Sequence, residues 1–278
     1  MNRRYSKTVG IGPILRFVPR WTKEKMKRAI NFAPPYAFHP ARCVREQRVV
    51  FEWGGREMNV EAGPTTPLYD TIYETTDYDS YQLKEFTLNA SGEGNVIVDI
   101  GANVGITALV LSQLPNARVT CFEPVSENVD WIRRNIKRNE LENVRVESSA
   151  VTATDGEVWF QMNELSVDGL VTGAEVGPSE RRMRVAAVSL EGALRLLPPG
   201  PVALAKVDCE GGEYEIVDQI TPEIAARVLR WSFEVHDKDA KRNIDVFSGN
   251  MGALGYRLKY KPDAFGRPGL HHLLATKG

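Results

Sequence analysis

Two segments of the chain end an apolar run in charged and glycine residues that could form a ligand site. The first is the run VIV, which ends at residue 98 and is followed by DIGANVG. Gly101 permits a tight turn and a close approach of the backbone to a ligand. An acid at Asp99 disfavours a phosphate, which binds bare backbone N–H groups, and favours a cationic ligand or one that presents hydroxyls.

The spacing within this loop distinguishes two classes of cofactor. Asp99, Gly101 and Gly105 form the pattern Asp-x-Gly-x-x-x-Gly, whereas dinucleotide sites use Gly-x-Gly-x-x-Gly. S-adenosyl-L-methionine carries a sulfonium, an ammonium and a ribose but no phosphate, and it therefore fits an acidic loop. The alternative is an ordinary strand-to-helix turn in which Asp99 caps the helix that follows.

Two further residues are candidates for cofactor binding. Glu123 follows the next apolar segment, and a carboxylate there can accept hydrogen bonds from both hydroxyls of a ribose. That chemistry would serve NAD as well as S-adenosyl-L-methionine, so Glu123 alone does not separate them. Ser149 ends the third segment, and its position predicts a loop that borders the adenine.

The second charged motif is KVDCEGGE, which begins at residue 206. Alternation along a strand places Lys206, Asp208 and Glu210 on one side for as long as the backbone stays extended. Charges at the end of an apolar strand are costly unless they are paired or functional, so a purely structural ion cluster is the alternative. Glu234 and His236 end the next apolar segment, and we expect them to join the same cleft.

Candidates for a general base and for a metal site lie in this group. A general base takes a proton from a reacting group, and His236 has the natural pKa for that role. Asp208 is the other candidate, and it could instead contact the ammonium of the cofactor. Asp208, Glu210, Glu234 and His236 could instead hold magnesium or manganese, an alternative that we do not favour. Cys209 is expected to face the packing side, and His39, His271 and His272 are interpreted as structural or exposed.

The elements that carry these residues follow a regular order. From residue 95 onward, short apolar strands alternate with segments of helical periodicity, which predicts an α/β, doubly wound, mostly parallel sheet with an antiparallel strand at the C-terminus. Ligands bind such sheets beyond the carboxyl ends of the strands, where the strand order reverses. The predicted division is a basic extension over 1–45, a hairpin and helix over 46–93, and a Rossmann-like domain over 94–278.

The N-terminal extension differs in charge from the rest of the chain. Residues 1–45 hold 11 Lys and Arg against one acid, while the whole chain has a formal charge of −1. A basic amphipathic helix is predicted within 14–33, and it either packs on its own domain or lies on an anionic membrane. The acidic remainder argues against nucleic acid as a partner.

Composition restricts the class of protein further. The 278 residues are 42% hydrophobic and 26% charged, which is ordinary for a globular protein. Three widely spaced cysteines argue against a disulfide framework and favour a reducing, cytoplasmic location. We expect no secretory signal, because prolines and arginines interrupt the basic N-terminus. Within the cytoplasm, the basic extension could bring the protein to the inner face of the membrane.

Four segments together resemble the FkbM-type family of S-adenosylmethionine-dependent O-methyltransferases: VIVDIGANVG, CFEPVSENVDWIRRNIKRN, AKVDCEGGEYEIV and WSFEVH. The resemblance covers residues 94–237, and it implies a Rossmann-like class I methyltransferase sheet. It also implies that Asp99, Gly101, Asn103 and Gly105 form the loop at the methionine end and that Glu123 holds the ribose. The implied acceptors are hydroxyls of small molecules, sugars or lipid-linked glycans.

Two other functions compete with methyl transfer. A nicotinamide-dependent oxidoreductase would use a similar sheet, but the glycine spacing and Asp99 argue against it. A non-catalytic binding protein could keep the fold, but loss of Asp99 or Glu123 would be expected in that case. The sequence therefore predicts an S-adenosylmethionine-dependent enzyme.

Overall fold

The computed structural model describes residues 6–8, 46–64, 66–89, 95–162, 169–172 and 182–278. The predicted helix over 14–33 and His39 lie outside these residues, and membrane contact through that helix stays a prediction. The strands are β1 (Ser6–Thr8), β2 (Gln47–Trp53), β3 (Arg56–Ala62), β4 (Val96–Ile100), β5 (Arg118–Phe122), β6 (Val144–Glu147), β7 (Ala150–Thr152), β8 (Gly156–Met162), β9 (Gly169–Thr172), β10 (Arg182–Ser189), β11 (Val202–Val207), β12 (Arg230–His236), β13 (Tyr256–Pro262) and β14 (Leu270–Lys277). The helices are α1 (Leu68–Ile72), which continues as a π-helix (Tyr73–Tyr78), α2 (Leu83–Asn89), α3 (Ile106–Leu111), α4 (Ser126–Arg138), α5 (Leu190–Arg195), α6 (Glu213–Asp218), α7 (Pro222–Arg227) and α8 (Ile244–Ala253).

The central sheet has seven strands in the order β13-β14-β12-β11-β4-β5-β6. β4, β5, β6, β11 and β12 are mutually parallel, and β14 runs antiparallel to both of its neighbours. The predicted α/β class, with a mostly parallel sheet and an antiparallel C-terminal strand, is therefore confirmed. The strand order reverses between β4 and β11, which places the expected ligand position at the ends of those two strands.

The central strands are buried on both faces, which explains their uninterrupted apolar runs. Val96, Val98 and Ile100 of β4 pack into one core with β11 and β12. Ile97, between them, packs into a second core on the opposite face. Asp99 shares the face of Ile97 because side chains alternate along a strand, and it is fully buried there.

The hairpin predicted within 46–93 is present as β2 and β3, and it belongs to that second core. Gly54 and Gly55 have φ values of 60° and 84° and form the turn between β2 and β3. Val49, Phe51, Met58 and Val60 pack in the same cluster as Ile97 and Trp131 of α4. The side chains of α4 also fix the hairpin, since Asn135 Oδ1 accepts a hydrogen bond of 2.8 Å from Glu61 N. The hairpin therefore supports the face of the sheet that buries Asp99.

A smaller second sheet has the strand order β7-β10-β8-β9. β8 and β10 are antiparallel to each other, and β7 pairs parallel to β10. The chain leaves the central sheet after β6 and starts β7 at Ala150, so Ser149 lies at the junction of the two sheets. Within the described part of the chain, none of the helices is long and apolar enough to cross a membrane.

Candidate functional site

A cleft opens at the carboxyl ends of β4, β5, β11 and β12, where the order of the strands reverses. It contains about 1150 Å³ of empty space, part of it open to solvent. Most of the residues predicted for the site line it, namely Gly101, Asn103, Glu123, Ser149, Lys206, Asp208, Glu210 and Glu234. The sequence therefore located this cleft, although the roles predicted for its residues stay predictions.

A buried ion pair joins the two central strands beneath the cleft. Lys206 and Asp99 are register partners on β11 and β4, and Lys206 Nζ lies 3.1 Å from Asp99 Oδ1. Lys206 Nζ also donates a hydrogen bond of 2.8 Å to the carbonyl of Gly101. Burial lowers the pKa of Lys206, but the carboxylates of Asp99 and Asp208 outweigh it and hold that pKa above its ordinary value. A permanently charged ammonium therefore fixes the start of the glycine loop.

The glycine loop depends on a close approach between two strand ends. Gly101 has φ +76°, and a Cβ built on it would lie 1.7 Å from the carbonyl oxygen of Asp208. Gly105 also has a positive φ, +87°, and stands at the N-terminus of α3, where no side chain among the described residues donates or accepts a capping hydrogen bond. Asp99 therefore does not cap the helix, contrary to the alternative interpretation of the motif.

Glu123 is held in place by donors of the surrounding loops. Its Oε2 accepts a hydrogen bond of 2.9 Å from Asn103 N, and its Oε1 accepts one of 2.9 Å from Val125 N. Asn128 Nδ2 lies 3.2 Å from the same Oε1. The carboxylate thus ties the glycine loop of β4 to the end of β5, where it lines the cleft with only 5% of the residue exposed.

Asp208 is engaged by a tyrosine from the segment before the central sheet. The hydroxyl of Tyr81 donates a hydrogen bond of 2.6 Å to Asp208 Oδ2, and Lys206 Nζ lies 3.5 Å from the same oxygen. Burial raises the pKa of Asp208, but Lys206 and the Tyr81 hydroxyl hold it below its ordinary value. A carboxylate stabilised in this way is a weak base, which argues against Asp208 as the proton acceptor.

His236 lies among three carboxylates at the end of β12. Its Nδ1 is 2.7 Å from Glu213 Oε1, and its Nε2 is 3.5 Å from both Glu210 Oε2 and Glu234 Oε1. Burial lowers the pKa of His236, but the hydrogen bond to Glu213 and the charges of Glu213, Glu210 and Asp208 raise it above its ordinary value. His236 stands just behind Glu210 and Glu234, which line the cleft.

The arrangement of these side chains does not support the metal alternative. Asp208 is directed to Tyr81 and Lys206, and in the described ranges no three His, Cys, Asp or Glu side chains are placed to hold a metal ion. Cys209 packs beside the core of β11 and β12, and burial raises the pKa of its thiol well above the usual value. Cys209 also lines part of the cleft, so the expectation that it faces the packing side is met only in part.

Several residues that form the far wall of the cleft were not indicated by any sequence motif. Glu74 of the π-helix and Arg267 of the β13–β14 loop form an ion pair that lines it, and Asp263 Oδ1 lies 2.5 Å from the same guanidinium. Burial raises the pKa of Glu74 to about 7, although Arg267 opposes the shift. Tyr81 is a further lining residue that no sequence motif indicated. No local sequence pattern predicts that these residues meet, because they come from segments far apart in the chain.

His272, interpreted from the sequence as structural or exposed, is a buried residue next to two carboxylates. It is 1% exposed, and its Nδ1 and Nε2 lie 3.7 Å from Glu234 Oε2 and Asp263 Oδ1 respectively. Burial lowers the pKa of His272 to about 4, because its effect outweighs that of the charges of Asp208 and Asp263, which raise the pKa. The imidazole is therefore neutral at pH 7 in the folded protein.

His272 is expected to make the fold sensitive to acid. Its pKa is about 4 when folded and 6.5 when unfolded, so the unfolded chain binds the proton first as the pH falls. The stabilisation is complete above pH 6.5 and is lost between there and pH 4, by about 3 kcal/mol. Urea unfolding of His272→Gln at pH 7 and pH 4.5 should show a weaker pH dependence than wild type. His271→Gln, its partly exposed neighbour, is the control, and equal slopes in all three proteins would contradict this account.

Comparison with known proteins supports the fold. No protein-family model and no curated protein matches the chain. Methyltransferase FkbM from Methylobacillus flagellatus KT is similar in structure, with a TM-score of 0.50 and 14% identity over 73% of this chain and 47% of that one. The chain thus spans about half the length of that protein.

Two other solved structures align less closely. Precorrin-6y C5,15-methyltransferase from Geobacter metallireducens GS-15 has a TM-score of 0.42 and 15% identity, and covers 71% of this chain and 87% of its own. A methyltransferase from Pyrococcus furiosus has a TM-score of 0.42 and 16% identity, and the alignment covers 76% of this chain and 95% of that one. At 14% sequence identity, the similarity to the FkbM structure shows that the two proteins share a fold.

Proposed function

We propose that this protein is an S-adenosyl-L-methionine-dependent O-methyltransferase of the FkbM type. Its acceptor would be a hydroxyl of a small molecule, a sugar or a lipid-linked glycan. The proposal rests chiefly on the charge of the cleft, because four carboxylates, Glu123, Asp208, Glu210 and Glu215, line it against the two bases Lys206 and Arg267. Two further acids line it: Glu74, whose pKa burial raises to about 7, and Glu234, whose pKa burial raises well above its ordinary value. An excess of carboxylates favours a cationic sulfonium and disfavours the pyrophosphate of a dinucleotide.

The residues at the reversal of strand order fit this cofactor. Gly101 allows the glycine loop to approach the backbone of Asp208 closely at the ends of β4 and β11, and Glu123 presents a fixed carboxylate at the end of β5. Gly101, Asn103 and Gly105 would hold the methionine end, Glu123 the ribose, and Ser149 would border the adenine. Asp99 would act from below the loop through Lys206. When bound, the cofactor supplies a methyl group on an activated sulfonium carbon.

The remaining task of the protein is to orient the acceptor and to remove its proton. His236 is the better candidate for the base, because its pKa is raised above the ordinary value whereas that of Asp208 is lowered. A base is most effective when its pKa lies near the working pH. Asp208 and Lys206 then remain as fixed charges next to the glycine loop, and Glu210 and Glu234 lie between His236 and the cleft.

Calorimetric titration with S-adenosylhomocysteine tests the cofactor. We expect wild-type protein to bind this product and Glu123→Ala to bind it at least about tenfold more weakly, since a charged hydrogen bond contributes roughly 1.5–3 kcal/mol. Glu127→Ala, which removes an exposed carboxylate from the first turn of α4, should bind like wild type. Binding of NADH without binding of S-adenosylhomocysteine would reject the proposal and favour an oxidoreductase.

A further inference from the structure

We infer that Glu213 is a positioning residue for His236: it keeps the proton on Nδ1 and leaves Nε2 as the nitrogen that gains and loses a proton. The observation is a hydrogen-bond pair at the boundary of the cleft, with Glu213 Oε1 2.7 Å from His236 Nδ1. The inference rests on the proposed function only in treating that nitrogen as the acceptor of a substrate proton. The geometry of the pair stands by itself.

The burial of Glu213 decides which nitrogen carries the proton. Glu213 is fully buried, and its Oε2 has no hydrogen-bond partner, so His236 provides the one hydrogen bond that its carboxylate makes among the described residues. A buried carboxylate without a donor costs several kcal/mol. Nδ1 must therefore donate to Glu213 in both the neutral and the charged form of the imidazole. Only Nε2 is left to exchange a proton.

The surroundings of Nε2 suit that exchange. It lies 3.5 Å from Glu210 Oε2 and from Glu234 Oε1, which is longer than an ordinary hydrogen bond. Both of those carboxylates line the cleft, and 17% of the His236 side chain is exposed. The titratable and charged groups around the ring are Glu213 and Tyr214 of α6, Asp208 and Glu210 of the loop after β11, Lys238 near Glu210, Glu234 of β12, and His272 of β14 behind Glu234.

The local fold is arranged so that α6 holds His236 at two points. Glu210 has φ +55°, and Gly211 has φ +107°, which turn the chain sharply after β11 and bring the start of α6 against the end of β12. Glu213 then reaches the imidazole, and the hydroxyl of the next residue, Tyr214, donates a hydrogen bond of 2.9 Å to the carbonyl of His236. Two consecutive residues therefore fix both the backbone and the ring.

Nitrogen-15 NMR of histidine-labelled full-length protein tests the inference without any acceptor. In wild type we expect His236 to hold its proton on Nδ1 and to titrate at Nε2. In Glu213→Gln the amide can donate to Nδ1, so the neutral ring should move its proton to Nε2 and its pKa should fall. Glu213→Asp retains the charge and should keep the pKa above that of the Gln variant. Asp218→Asn removes an exposed carboxylate from the same helix and should leave both signals unchanged.

The outcomes separate this inference from the proposed function. An unchanged pKa and tautomer of His236 in Glu213→Gln would overturn the inference, provided that urea unfolding shows that the variant is folded. If Glu213→Gln is too unstable to measure, a wild-type titration at Nδ1 instead of Nε2 overturns it equally. A failure of wild-type protein to bind S-adenosylhomocysteine would reject the proposed function and leave the histidine result intact.

Discussion

Lys206→Met is expected to destabilise the fold by about 3–5 kcal/mol, because it leaves buried carboxylates without their cation. Asp99 is completely buried, with its Oδ1 3.1 Å from Lys206 Nζ, and Asp208 lies 3.5 Å from the same ammonium. Methionine fills a similar volume, so little of the loss should come from packing. Urea unfolding at pH 7 measures the effect, and binding of S-adenosylhomocysteine should weaken too, since the donor to Gly101 is lost.

Two comparisons isolate the buried charge as the cause. Lys259→Met removes an ammonium whose pair with Glu85 is on the surface, with 57% and 49% of the two side chains exposed, and it should cost less than about 1 kcal/mol. Adding Asp99→Asn to Lys206→Met removes one of the two unpaired charges and should recover part of the lost stability. A Lys206→Met protein that is as stable as Lys259→Met would show that the pair contributes little.

The sequence predicted those features of the site that depend on neighbours along the chain. An apolar run followed by Asp99 and Gly101 predicts a buried strand and a tight turn, and both are present as β4 and its loop. The same reasoning placed Lys206 and Asp208 at the end of a parallel strand. Because all parallel strands of a sheet present their carboxyl ends at one edge, these motifs had to share one cleft.

The features that were missed depend on contacts between distant segments. Nothing near Lys206 in the sequence shows that its strand lies in register with Asp99, more than a hundred residues earlier. Tyr81 has the pattern of an ordinary core residue, and only the fold brings its hydroxyl to Asp208. The same applies to the pair of Glu74 and Arg267, which closes the far wall of the cleft.

Glu213 lies inside a motif that the sequence analysis identified, yet its contact with His236 could not be predicted. It lies within the KVDCEGGE motif, but alternation along a strand cannot be extended to it because Glu210 and Gly211 adopt positive φ values. The turn that they form moves Glu213 to the start of a helix and directs it to His236 on the next strand. A motif that spans a strand, a turn and a helix therefore hides which of its acids share a site.

Gly101→Ala is expected to cost about 3–5 kcal/mol and to abolish measurable binding of S-adenosylhomocysteine, because it adds the strain of a left-handed alanine to an overpacked contact. The new Cβ would lie 1.7 Å from the carbonyl oxygen of Asp208 and 2.8 Å from its carbonyl carbon. Backbone atoms cannot rotate away, so the loop after β4 must separate from the end of β11. That movement would also disturb the hydrogen bond from Lys206 Nζ to Gly101 and the position of Asn103 relative to Glu123.

The contribution of the clash can be separated from that of the backbone conformation. Gly55 in the β2–β3 turn has φ +84°, close to the +76° of Gly101, but a Cβ there would meet nothing within 4 Å. Gly55→Ala should therefore show only the cost of a left-handed alanine, about 1–2 kcal/mol, and leave ligand binding unchanged. If Gly101→Ala unfolds in urea at the same concentration as Gly55→Ala, the close approach between the loop and Asp208 does not constrain the site. If it unfolds at a much lower urea concentration, the two strand ends can meet only because residue 101 has no side chain. The position of the proposed cofactor then depends on that contact.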